Sequence, residues 1–132
     1  MSYMLDTNIC IYVMKHHPPE VRERLRKIAM GDVFISGIVL AELWYGIGKS
    51  QHREKNKAAL ENFLQYCVVQ DWPHEAAPVY GDIRAALEKK GVVIGGNDMF
   101  IAAHAKWAGA TLVTNNIKEF KRITGLKVEN WI

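Results

Sequence analysis

"MSYMLDTNICIYVM", residues 1–14, carries one charge, Asp6, set between two apolar runs. Tyr3–Leu5 reads as a short buried strand. Thr7 to about His16 reads as a helix, stopped by "HHPP" because proline lacks the N–H that a helix interior needs. Asp6 stands at the junction.

The same strand-then-helix grammar continues outward. Glu20–Met30 places Val21, Leu25 and Ile28 at helical spacing, with Gly31 as its stop. "VFIS" is a second strand. Ile38–Lys49 and Glu54–Cys67 form a helical pair around "KSQH". "VVQDW" is a third strand. A long helix runs from about His74 to Lys90, with Pro78 tolerable only near its first turn and Gly91 at its end. Asn97–Ala108 is a helix ended by Gly109. "TLVT" is a fourth strand, "IKEFKRI" a short helix and "LKVENW" a fifth strand. Strands alternating with helices imply a parallel sheet covered on both faces, an α/β protein. In such sheets the ligand site lies beyond the C-terminal strand ends.

The 132 residues suit one domain over 1–132 with one core. Charged residues break every apolar run well short of a membrane span, and no signal peptide is visible, so a cytoplasmic protein with no membrane contact is expected. Cys10 and Cys67 sit among apolar residues without ligand spacing and read as buried free thiols. The formal charge of +3 would suit a polyanionic partner if the basic groups share a surface. Those groups are "RERLRK" from Arg22, "KSQHREKNK" from Lys49, "EKK" from Glu88 and "KEFKR" from Lys118.

The opening pattern recurs twice. In "VFISGIVLAELWYGIG", residues 33–48, the only charge is Glu42, and in "GVVIGGNDMFIAA", residues 91–103, it is Asp98. A carboxylate buried without a partner is costly, and no Lys or Arg stands close in sequence to any of the three. Asp6 follows strand one, Glu42 lies in the helix after strand two, and Asp98 opens the helix that leads into strand four. The sheet edge can bring them together, and a shared cation is the simplest compensation. Oxygen ligands suit Mg²⁺ or Mn²⁺. Each acid also has an ordinary alternative: Asp6 and Asp98 can cap helices, and Glu42 can sit exposed. A fourth acid, Glu119, follows strand four in "TLVTNNIKEF", and its alternative is a surface site between lysines. Thr7, Ser36 and Thr114 are candidate hydroxyl donors to carboxylates. Asn8 and Asn116 stand at the same strand ends.

"MLDTN", "AELWYG", "IGGNDMFIAAHA" and "LVTNNIKEF", in that order, resemble the motifs of PIN-domain ribonucleases, and most closely bacterial VapC-type toxins of type II toxin–antitoxin pairs. The resemblance runs from about Met4 to Trp131. It implies a three-layer α/β/α sandwich and a Mg²⁺- or Mn²⁺-dependent endoribonuclease. On its pattern Asp6, Glu42 and Asp98 are the acidic cluster, with metal at Asp6 and Asp98. Many members have Asp where this chain has Asn116, while others use the acid at Glu119. The resemblance also implies a VapB-type antitoxin docked near the helical pair, with Leu43, Trp44, Tyr45, Ile47, Leu60, Phe63 and Leu64 as candidate lining. It further implies a homodimer and a toxin–antitoxin assembly that binds operator DNA through the antitoxin. The ending "VENWI" is similar to a subgroup some of whose members cleave initiator tRNA in the anticodon stem-loop. Water attack would leave 5′-phosphate and 3′-hydroxyl ends. Two rival readings stand beside this one. An aspartyl phosphatase commonly needs a second Asp two residues after the first, where this chain has Asn8. A binding module without catalysis would have no use for the intact acidic set.

Overall fold

The computed structural model describes residues 1–132. Five strands, β1 (Tyr3–Leu5), β2 (Val33–Ser36), β3 (Val68–Gln70), β4 (Thr111–Val113) and β5 (Lys127–Glu129), form one sheet in the order β3-β2-β1-β4-β5. Every pairing is parallel. The central strand, β1, buries Met4 and Leu5 completely, as expected of a strand covered on both faces. Seven helices flank the sheet: α1 (Thr7–Lys15), α2 (Pro19–Arg26), α3 (Gly37–Gly48), α4 (Arg53–Phe63), α5 (Ala77–Lys90), α6 (Gly96–Ala108) and α7 (Ile117–Phe120). Helices α1 to α4 pack mainly with one another, and α5 packs on α6. The result is the expected three-layer α/β/α sandwich around a parallel sheet.

Strand order reverses at β1. The chain leaves β1 for β2 on one side and later returns through β4 on the other. That reversal opens a crevice at the C-terminal edge between β1 and β4, the place where open parallel sheets bind ligands. Asp6 and Thr114 are the first residues past those two strands.

Several boundaries differ from the sequence reading. Helix α2 ends at Arg26, short of Met30, because Ala29 takes extended backbone and Met30–Asp32 forms a 3-10 turn that feeds β2. Gly31 therefore lies inside that turn and does not stop the helix. Helix α4 ends at Phe63, because the chain must leave it to bury Cys67 before β3. Strand β3 is a shorter edge strand with exposed side chains. Pro78 falls in the first turn of α5, after a 3-10 turn at His74–Ala76. Gly91 and Gly109 terminate α5 and α6 with φ of 69° and 67°, the left-handed backbone that glycine adopts without penalty. Cys10 and Cys67 are buried free thiols. No helix is long and apolar enough to cross a membrane.

Candidate active site

Asp6 does two jobs. It is the N-cap of α1, its Oδ1 accepting the Ile9 N–H at 3.0 Å. Its other oxygen accepts the hydroxyl of Thr114, which reaches across from the end of β4. The carboxylate is only 6% exposed. Burial raises its pKa; the bonds from Thr114, Ile9 and Asn8 work against that, and the charge of Glu42 adds to it.

Glu42 projects from α3 toward the same edge. Thr7 donates its hydroxyl to one oxygen at 2.6 Å, and the Asn97 amide approaches the other at 3.5 Å. It is thus held between α1 and α6 and is not an idle exposed residue. Asp98 is the third residue of α6. It caps nothing: the N-cap of α6 is Gly95, with no side-chain cap bond. Its carboxyl is pushed up to about 6, first by burial and then by the charges of Glu42, Glu119 and Asp6. Every charge acting on Asp98 is another carboxylate, so the four acids converge on one edge with no basic side chain to offset them. Glu119, on α7, accepts the Asn116 amide at 2.9 Å. Asn116 and Glu119 therefore both belong to the cluster, as a donor and acceptor pair.

The supporting residues divide. Thr7 and Thr114 each hold an acid. The backbone N–H of Asn8 faces Asp6 while its side chain is exposed. Ser36 does not serve the acids: its hydroxyl accepts the Ile38 N–H at 3.2 Å and caps α3. Asn97 went unnoticed in the sequence; its only signal was its place beside Asp98 in "GGND".

The donor set is oxygen throughout and carries excess negative charge, which suits a hard divalent cation. No three of the acids already stand close enough to hold one ion. Glu42 is hydrogen-bonded to Thr7 and Asn97, and Glu119 to Asn116.

Most of the candidate antitoxin-lining residues near the helical pair are packed into the core. Val39, Leu43 and Ile47 form the core face of α3, and Leu60 and Phe63 are also core residues. Leu64 is half-buried against them. Trp44 and Tyr45, one and two helical steps of about 100° past Leu43, turn off the core face and are exposed. An apolar groove of about 580 Å³ lies instead between α1, α2 and α4, walled by Val13, Met14, Leu25, Ile28, Phe63 and Tyr66. Of the candidate lining residues only Phe63 borders it, and none of the four acids does.

A parallel α/β sandwich with unneutralised carboxylates at its switch point defines the class of this protein. The PIN-domain family matches residues 3–126. Ribonuclease VapC2 of Rickettsia felis is 49% identical over 132 residues, covering 99% of this chain and 98% of that protein. The tRNA(fMet)-specific endonuclease VapC of Shigella flexneri is 44% identical over 131 residues, with coverage of 99% and 98%. The crystal structure of VapBC2 from Rickettsia felis, bound to a DNA fragment from their promoter, contains a chain that matches at a TM-score of 0.95 and 48% identity over 100% of both chains. The chain belongs to the PIN-domain family, in its VapC ribonuclease branch.

Proposed function

We propose that this chain is the toxin of a type II toxin–antitoxin pair: a cytoplasmic, divalent-cation-dependent endoribonuclease that hydrolyses phosphodiester bonds in tRNA. The observation that carries the reading is the convergence of Asp6, Glu42, Asp98 and Glu119 on the switch-point edge without a basic partner. Asp6 and Asp98 hold Mg²⁺ or Mn²⁺, and Glu42 and Glu119 complete the negative surround. When bound, the cation lowers the pKa of water and offsets charge that builds on the phosphate. The protein's own part is positioning. Thr114 and the start of α1 fix Asp6, Thr7 fixes Glu42, and Asn116 fixes Glu119.

Initiator tRNA, cut in the anticodon stem-loop, is the first substrate to test, supported by the likeness to the Shigella flexneri enzyme. A VapB-type antitoxin segment seats in the groove between α1, α2 and α4, which offers an apolar concavity close to the size of a buried helix turn or two. The toxin is a homodimer, and operator DNA is bound through the antitoxin. Incubating the pure protein with total tRNA and Mn²⁺, with and without chelator, tests the enzyme reading. Cleavage in Mn²⁺ that chelator stops is the expected outcome, and no cleavage in Mn²⁺ counts against it.

A further inference from the structure

The helix face that carries Glu42 continues beyond it. Tyr45 and Lys49 follow at the third and seventh positions, on the same side of α3 and away from Val39, Leu43 and Ile47. At 1.5 Å per residue, Tyr45 lies about 4.5 Å and Lys49 about 10 Å along the axis from Glu42. Tyr45 is 68% exposed, more than any other Tyr, Trp or Phe of the chain. The fold does not use it: the ring packs on no other ring and its hydroxyl has no partner. The Lys49 ammonium lies 4.8 Å from the ring centroid. Lys49 takes part in none of the four ion pairs. Along the stripe the ring stands between Glu42 and Lys49, with the exposed Trp44 beside it on the chain.

An acidic site that acts on a polyanion needs positive charge beside it. At the C-cap of α3 that charge is Lys49, and it is coupled to a ring. We propose that Tyr45 and Lys49 form a nucleotide subsite next to the acids, in which the ring stacks an unpaired RNA base and the ammonium neutralises a backbone phosphate. Single-stranded RNA is held in this way, by aromatic faces for bases and cations for phosphates, and its splayed bases are what proteins read. The proposal rests on the ribonuclease reading above and adds where the looped-out nucleotide goes.

The probe is an anticodon stem-loop RNA carrying 2-aminopurine at each loop position in turn, held in EDTA so that binding is read without cleavage. Wild type should quench one position, Tyr45→Phe should quench it equally, and Tyr45→Ala should lose the quench and bind about fivefold more weakly, the lower end of what one stacked base contributes. Lys49→Gln should flatten the dependence of log K on log salt by about 0.7. An unchanged melting curve for Tyr45→Ala shows that the fold is intact. Full quenching by Tyr45→Ala overturns the proposal. So does a halved solution mass of that variant in light scattering, because the ring would then seat a second copy of the chain. Wild type that binds and quenches but does not cut RNA in Mn²⁺ contradicts the ribonuclease reading and leaves the subsite standing. Wild type that does not bind the stem-loop in EDTA overturns the subsite, and cleavage in Mn²⁺ tests the ribonuclease reading separately.

Discussion

Thr7 donates its hydroxyl to Glu42 across 2.6 Å, tying the first turn of α1 to the middle of α3. The two residues are far apart in sequence, and the bond sets where the Glu42 carboxylate points. Thr7→Val removes the donor and keeps the shape. It should lower kcat/KM for RNA about tenfold, because a misplaced group forfeits orientation, while stability falls by about 1 kcal/mol or less. Thr7→Ser should restore most of the activity. Equal activity in Thr7→Val and wild type would show that Glu42 is positioned by something else.

The four acids repel one another when no cation is present, so removing one charge should stabilise the cation-free protein. Asp98→Asn should melt at the same temperature as wild type or higher in EDTA, by up to about 1 kcal/mol once solvent screening is allowed for. In Mn²⁺ the order should invert, because a cation that binds only the native state stabilises it by mass action and the variant has lost a charged ligand. Thermal melts of both proteins in both buffers measure this. Identical shifts with Mn²⁺ would mean that Asp98 does not hold the ion.

Asp98 also sets a pH dependence. Its carboxyl titrates at about 6 in the folded chain against an ordinary 3.8, so the folded state holds the proton more tightly than the unfolded state. That contribution to stability is fully present below pH 3.8 and is lost as pH rises through about 6. Cation binding runs the other way, since it needs the carboxylate ionised. Mn²⁺ affinity, read by calorimetry, should weaken below pH of about 6 and do so less steeply in Asp98→Asn.

His104 acts in the same pH range with the opposite sign. Both ring nitrogens are buried without a hydrogen-bond partner, and the ring lies 5.4 Å from that of Phe34. Burial lowers its pKa from 6.5. The unfolded chain therefore binds this proton more readily, and stability present above pH 6.5 is lost as pH falls below it. His104→Leu should keep or raise the melting temperature at neutral pH, because an unsatisfied polar ring is replaced by an apolar one, and should lessen the acid loss. A variant that is strongly destabilised at neutral pH would show that the imidazole has a partner.

The groove between α1, α2 and α4 should decide antitoxin affinity. Tyr66 borders it and is 48% exposed, so Tyr66→Ala should weaken the toxin–antitoxin complex by about 2 kcal/mol. Trp44→Ala, on the far face of α3, should leave the affinity alone. The reverse pattern in a binding titration would return the antitoxin to α3.

What the sequence made legible was whatever a short local pattern encodes. β1, β2 and β4 stood out as apolar runs between breakers. Asp6, Glu42 and Asp98 stood out because each is the lone charge in an apolar window, and the fold brings them to one edge because Asp6 and Glu42 follow the C-terminal ends of β1 and β2 while Asp98 opens α6, the helix that runs back to the start of β4. Other features depend on contacts between distant segments. Spacing put Leu43 and Ile47 on an apolar face without telling whether that face meets the core or a partner. Ser36 looked like Thr7 and Thr114, but the start of α3 claims its hydroxyl. The true groove is built from three helices, and no single stretch announces it.

The central claim is that the acids at the β1–β4 edge hold a cation that cuts RNA. The most direct measurement maps cleaved ends across total tRNA after incubation with wild type or Asp98→Asn, in Mn²⁺ and in EDTA. Wild type in Mn²⁺ should cut, leaving 5′-phosphate and 3′-hydroxyl ends within an anticodon stem-loop. EDTA should abolish the cut, and Asp98→Asn should fail to cut in either buffer. Cleavage that persists in EDTA, or an Asp98→Asn protein that cuts as well as wild type, would contradict it.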